Sequence, residues 1–405
     1  MNKANLLLLL GVLAAAACQK NPVPPAPDPD DSLTGETVDV SAFPSSARKL
    51  FVLSEGGMGA NNARLDFLRF KDGAYISDAF GSVNPSVPGL GDVGNDIAVH
   101  GDEVWIVVNN SGIVEVISAE SEKEIAAIAV PTPRNIAFDD RYAYVTSWAG
   151  AYTTLAEDYT LADYNNPKGR VYRIDLSTKE LAGTVEVGYQ PEGIACRDGK
   201  LYVANSGGIA CQLPPDYQYE NTLSIIDTQS FKVEKTVAVA LNLKNVYTDT
   251  RGHVFVTSLG DYFSVHSGLY VLDAAAPEKV GQVLPALGDG HVTCSFILGD
   301  EVYCIGTDNE YEWNEVHEYK VWSCHVGGGS LSGQASFYPG VRLTGVPYGM
   351  AVVEGTAEGL HLLLVGDAGD YFNPGTVRCY QLDYDQNALL WEVDAGVCPG
   401  HFALW

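Results

Sequence analysis

Positive charge is scarce in this sequence: Lys and Arg number 24 against 51 Asp and Glu, a net charge of −27. A chain this acidic repels phosphate backbones, which makes nucleic acid a poor partner. Methionine is scarce too, with 3 residues. No Cys-x-x-Cys occurs and the 8 His form no close metal-type pair, so no metal site is expected. Gly-x-Ser-x-Gly, His-Glu-x-x-His and a Gly-rich phosphate loop are also missing, which removes the usual hydrolase, metalloprotease and nucleotide signatures. No cofactor is called for. Tyr (22) and Gly (42) are abundant instead, as strands and turns require.

One phrase recurs along the chain. Pro191-Glu192-Gly193-Ile194-Ala195-Cys196, Pro347-Tyr348-Gly349-Met350-Ala351-Val352 and Pro399-Gly400-His401-Phe402-Ala403-Leu404 share its shape. Pro133-Arg134-Asn135-Ile136-Ala137-Phe138 is a relative, with weaker copies at 94–99, 243–248 and 291–296. The anchors are Ile97, Ile136, Ile194, Val246, Cys294, Met350 and Phe402, spaced by 39, 58, 52, 48, 56 and 52 residues. Several short strands per unit at this period predict an all-β, seven-bladed β-propeller. No strands follow the seventh phrase, while unmatched strands stand at 49–53 and 63–70. The C-terminal strand is therefore expected to close the first blade and leave no open sheet edge.

The predicted domains are a signal peptide at 1–17, a lipidated Cys18 with a flexible Pro- and Asp-rich tether at 18–46, and the propeller at 47–405. Lys3 supplies the positive end of the signal, and its apolar run at 6–17 is too short to span a bilayer. Ala15-Ala16-Ala17-Cys18 resembles a bacterial lipobox; the other reading is ordinary secretion with a cut near Ala17. Seven Cys remain after Cys18. Cys196 and Cys211 are the best pairing candidates, while Cys294, Cys304 and Cys379 read as small buried hydrophobes. Asp175, Asp227 and Asp273 end strands and are expected to serve turns, not chemistry.

The Pro-x-Gly-Ile-Ala phrase, the Leu201-Tyr202-Val203-Ala204-Asn205 strand and the Ile-Asp strand ends resemble the YncE-like seven-bladed propellers over 49–405. Leu50-Phe51-Val52-Leu53-Ser54-Glu55-Gly56-Gly57, followed by Asn61-Asn62-Ala63, looks like the opening of that family's lipid-anchored branch in gut bacteria. Part of the branch consists of surface cobalamin-binding (BtuG-like) propellers. The resemblance implies a lipoprotein of the outer membrane, cell-surface exposed, that captures cobalamin as cargo and hands it to a TonB-dependent outer-membrane transporter.

The residues themselves point to a rim. In a propeller, the loops between second and third strands share a face with the connections into each first strand. The former are long here, at 54–62, 148–168, 206–221, 260–267, 307–317 and 367–375, and long loops commonly bind or catalyse. They carry Trp148, Tyr152, Tyr217, Tyr219, Tyr262, Phe263, Tyr311, Trp313, Tyr371 and Phe372, with Asn205 and Asp370 beside them. Entering the first strands are Arg134, Asn135, Glu192, Asn245, His291, Tyr348 and His401. Each ring on its own could simply pack its loop down. Together they make an amphipathic surface for a large, flat or multiply ringed ligand. Four rings covering ~100 Å² each would supply about 10 kcal/mol gross, before association costs.

Three other readings use the same residues. A glycan- or haem-binding propeller would use the rim, with His291 or His401 as an axial ligand for haem. A propeller lyase or lactonase would use His291 and His401 beside Glu192 as an acid–base pair. A scaffold would hold no small ligand. Asp367, Asp370 and Asn373 have no EF-hand spacing and read as solvated acid rather than a calcium site.

Overall fold

The computed structural model describes residues 33–149, 167–208, 219–262, 264–283, 291–307, 318–327, 330–382 and 388–405. In these residues the chain forms seven antiparallel sheets in a ring, an all-β propeller with one five-residue helix at Ala79–Val83. The expected closure is present. Pro399–Leu404 pairs with Lys49–Ser54, setting Leu50 opposite Leu404 and Val52 opposite Phe402. It is the inner strand of blade 1, followed outward by Lys49–Ser54, Arg64–Arg69 and Ala74–Ile76. Trp405 tightens the seal: its carbonyl accepts the Arg48 N–H at 2.7 Å, and the Arg48 guanidinium lies 4.6 Å above its ring.

Blades 2 to 7 each take four consecutive strands. Their inner strands are Gly94–His100, Pro133–Phe138, Pro191–Arg197, Leu243–Thr248, His291–Leu298 and Pro347–Glu354. Period-two alternation in the third strands predicts one covered face each. In fact Leu223 to Ile226 are all buried, as are Val114 to Ile117. Blades stack face to face, so their middle strands are covered on both sides. Alternation survives at the outer edge, in Lys232–Ala238 and Leu181–Glu186. Between blades 1 and 2, Phe51, Leu65 and Phe67 pack with Ile97, Val104 and Ile106.

The tether was expected to run to residue 46, but the chain is packed well before that. Glu36–Thr37 adds a strand to the outer edge of blade 1. Phe43 is 4% exposed, its ring 4.8 Å from Phe70 and 6.4 Å from Trp391 of blade 7. A Pro- and Asp-rich composition hides one aromatic that has a socket between two blades. Asp175, Asp227 and Asp273 each accept a backbone N–H from the turn that follows, as expected. Cys294, Cys304 and Cys379 are buried and free; Cys196 is free, and Cys211 lies outside the described residues.

In every blade the inner strand slips register against the second strand just before its anchor. The slips fall at Gly94/Asp96, Pro191/Ile194, Leu243/Val246, Val292/Cys294 and Pro347/Gly349, with equivalents opposite Val145/Ser147 and Leu53/Ser54. Such bulges break the strict alternation of side chains and re-aim them. In blades 3 and 5 the N–H next to the bulge finds a hydroxyl: Asn135 donates to Thr146 Oγ1 at 3.0 Å, and Asn245 to Thr257 Oγ1 at 2.9 Å. Gly349 sits where the next inner strand presses close, and a Cβ there would lie 1.9 Å from the Gly400 carbonyl oxygen.

Packing at the seal and in blade 2 can each be probed by one substitution. Phe402→Ala, which empties the closing strand's core position, should cost about 3–5 kcal/mol in denaturant unfolding. Unchanged stability would mean the seal does not hold the ring. Glu115, 2% exposed with an unbonded Oε1, is pushed up to about 8 by burial and by Glu124. The folded state therefore holds this proton more tightly, and stability falls as pH rises from the ordinary carboxylate range through 8. Glu115→Gln should melt higher than the parent at about pH 9 and close to it at about pH 4.

Candidate functional site

The seven anchors read from the sequence all line one cavity on the propeller axis, of about 860 Å³. They are 5–9% exposed, each showing one edge to the cavity and the rest to its own blade. They form an apolar girdle. The residue before each anchor also reaches the cavity: Asp96, Asn135, Gly193, Asn245, Thr293, Gly349 and His401. In a regular strand consecutive residues face opposite ways. The bulge is what lets both face inward, so a polar crown sits directly on the girdle.

Two charged networks occupy the crown. On blades 3 to 5, Glu192 is 5% exposed and receives Arg134 Nη2 at 3.0 Å, Lys244 Nζ at 2.9 Å and the Trp148 indole N–H at 3.2 Å. The Arg134 guanidinium also lies 4.4 Å over the Trp148 ring. Burial alone would raise the Glu192 carboxyl, but the charges of Arg134 and Lys244 outweigh it and hold the group below its ordinary value. On blades 1, 2 and 7, His401 Nε2 lies 3.3 Å from Glu55 Oε1, and the Tyr348 hydroxyl donates to Glu55 Oε2 at 2.7 Å. Burial pushes Glu55 up; His401, Tyr348 and the more distant Arg134 charge bring it below its ordinary value. Asp96 goes the other way. Burial raises it despite His401 and the hydrogen bonds from the Ile136 N–H and the Asn135 amide. Burial also raises the Tyr348 and Tyr247 phenols.

The expected site residues divide into groups. Asn135, Asn245, Tyr262, Tyr348, Tyr371 and His401 line the cavity. Arg134, Glu192 and Trp148 form the network beside Lys244. Phe372 stands out at the rim, 86% exposed. Tyr219 is buried with its ring edge against Tyr262, at 6.4 Å. Tyr152, Tyr217, Phe263, Tyr311 and Trp313 lie outside the described residues, as does the side chain of His291, whose backbone opens the inner strand of blade 6.

Two expectations, on Asn205 and on the partner of His401, need correction. Asn205 is fully buried inside blade 4, its amide given to Thr222 Oγ1 and Ser224 Oγ and its carbonyl to the Gly188 N–H, which leaves nothing for a ligand. Asp370 stays exposed while accepting from the Phe372 and Asn373 backbones and the Asn373 amide in its own loop. His401 pairs with Glu55 rather than Glu192, whose oxygens are taken by cations. Glu55, Asp96 and Lys244 were not among the expected site residues. Asp96 and Lys244 fall within the repeated phrase, so the same alignment of copies would have exposed them. Among the described residues no group of three His, Cys, Asp or Glu is placed to hold a metal ion.

No protein-family model matches the sequence, and no curated protein matches it. Solved structures do. A hydrazine synthase chain of Kuenenia stuttgartiensis is 17% identical, with a TM-score of 0.56 over 76% of this chain and 88% of its own. A protein provisionally named 6-phosphogluconolactonase, from Bacteroides uniformis, is 10% identical, with a TM-score of 0.56 over 89% of this chain and 100% of its own. A hypothetical selenium-binding protein of Sulfolobus tokodaii is 12% identical, with a TM-score of 0.57 over 88% of this chain and 93% of its own. At such identities the likeness establishes the fold and leaves the ligand to the residues.

Glu192 is the test of the network. Glu192→Ala would leave Arg134 and Lys244 facing each other without their shared partner, at a cost of about 3 kcal/mol near neutral pH. Because the folded carboxyl is lowered, its stabilisation is present above the ordinary carboxylate range and is lost as pH falls through the lower value. The gap in melting temperature between parent and variant should therefore narrow below about pH 4. A gap that stays constant from about pH 3 to about pH 8 would show that the charge on Glu192 is not what stabilises.

Proposed function

We propose that this propeller is a capture protein for a bulky nutrient, with cobalamin or another corrinoid as the leading candidate, held where the channel opens. One observation carries the reading: Tyr262 and Tyr371, exposed by 48 and 44%, line an axial cavity whose wall carries the amides Asn95, Asn135 and Asn245, and Phe372, 86% exposed, follows Tyr371 in the chain. Aromatic faces give contact area and the amides fix orientation. A corrinoid, a broad ring edged with amide arms, suits that mixture. It would rest on the mouth and send only an arm below.

The remaining parts of the proposal rest on the resemblance to lipid-anchored propellers. Lipid on Cys18 would hold the protein at the outer membrane, facing outward, and the cargo would pass to a TonB-dependent transporter. Binding without turnover is the expected chemistry, because the Glu192 carboxylate is neutralised by its cations and no nucleophile is paired with His401 among the described residues.

Calorimetric titration with cyanocobalamin checks the reading. Saturable heat at micromolar protein is expected, with the Tyr262→Ala, Tyr371→Ala double variant weaker by ~10-fold or more. No heat removes the corrinoid. A Soret shift with haemin, or stacking-type affinity for oligosaccharides, would replace it with the haem or glycan reading.

A further inference from the structure

The cavity below the mouth has a charge layout of its own. The blades follow one another in chain order around the axis, and blade 1 joins the two ends. In a ring of seven, blade 5 stands opposite the gap between blades 1 and 2. Lys244 stands at one end of that diameter, with Glu55 and Asp96 at the other. Lys244, on the inner strand of blade 5, lines the cavity with its ammonium 2.9 Å from Glu192 Oε2. Arg134, on blade 3, shares that carboxylate at 3.0 Å, so two cations divide one anion and Lys244 is only partly neutralised.

The facing wall has the opposite balance. Glu55 and Asp96 both line the cavity. Glu55 is met by His401 and by the neutral Tyr348 hydroxyl. Asp96 accepts hydrogen bonds from neutral groups, the N–H groups of Ile97 and Ile136 and the Asn135 amide, and feels the charge of the same His401. Two carboxylates thus share one imidazole, with the more distant Arg134 charge acting on Glu55 as well. Between the walls the crown offers amides, and beneath it lies the apolar girdle.

We infer that this cavity binds a small zwitterion across the propeller axis, its anionic end towards Lys244 and its cationic end towards Glu55 and Asp96. A ligand with one charge satisfies one wall and leaves the other facing a chain with nothing to offer it. A ligand with both charges at the right separation satisfies both, with its methylenes on the girdle. At about 860 Å³ the space exceeds the needs of an amino acid and suits an ω-amino acid or a short peptide. The site lies in the same cavity into which a ligand held at the rim would send an arm, so the two would compete for it.

A homologous series decides it. The protein would be titrated calorimetrically with ω-amino acids from glycine to 8-aminooctanoate, beside alkylamines and alkyl carboxylates of matched length. One chain length should bind ~10-fold or more tightly than either single-charge comparator. Lys244→Met and Glu55→Gln should each weaken that ligand by ~10-fold, and Lys244→Arg should retain it. Equal affinity for the zwitterion and its comparators, or no binding of any member at millimolar concentration, overturns the inference. The comparison among ligands uses the unaltered protein, so it decides the matter even where a variant fails to fold. Cobalamin titrated into a separate sample, free of zwitterion, reads the rim.

Discussion

The structure depends on one backbone irregularity repeated in every blade. An inner strand of a propeller has to serve two masters: its apolar side chains must key into the neighbouring blades, and the axis must be lined. Regular alternation can give only every second residue to the axis. The slip before each anchor gives two in succession, one polar and one apolar in most blades. The cost is a backbone N–H without a ladder partner, met in blades 3 and 5 by Thr146 and Thr257 on the second strand. Circular closure then makes the arrangement common to all blades, because blade 1 too receives an inner strand.

From that irregularity the chemistry of the channel follows. Charges brought together on the axis are buried, and a buried charge persists only with partners. Hence the clustering: Glu192 with its two cations and an indole, Glu55 with an imidazole and a phenol. Each cluster draws on different blades, so the charged pairs also tie blade to blade. Arg134 reaches from blade 3 to blade 4, and Lys244 from blade 5 back to it. Binding groups and structural ties are here the same atoms, and ligand affinity and ring stability should respond to the same substitutions.

Much of this was legible in the sequence, for a physical reason. Anchors such as Ile194 and Phe402 recur because every blade poses the same packing problem, and a repeated problem leaves a repeated phrase. Lys49 to Leu53 and the closing strand were recognisable as two halves of one sheet for the same reason. What the phrase does not carry is depth and direction. Asn205 ends a strand beside the rim, yet with no bulge to turn it the amide points into its own blade. Glu55 lies in a Gly-rich loop that reads as a turn, and only the fold brings it to His401, far along the chain. Phe43 was lost in Pro-rich surroundings because burial of a single aromatic leaves no periodicity to detect.

The seal between Pro399–Leu404 and Lys49–Ser54 also sets an order of events. Leu50 meets Leu404 from the far end of the chain, whereas each other blade is built from strands that follow directly on one another. During synthesis, blades 2 to 7 can assemble as they are made, but the first strands to emerge must wait for a partner made after all the others. In that interval Leu50, Val52 and Leu68 lack the blade 7 side chains that cover them, and the unpaired edge of Lys49–Ser54 invites a foreign strand. Blade 1, whose outer strands are made before the other six blades, is thus the last to be completed.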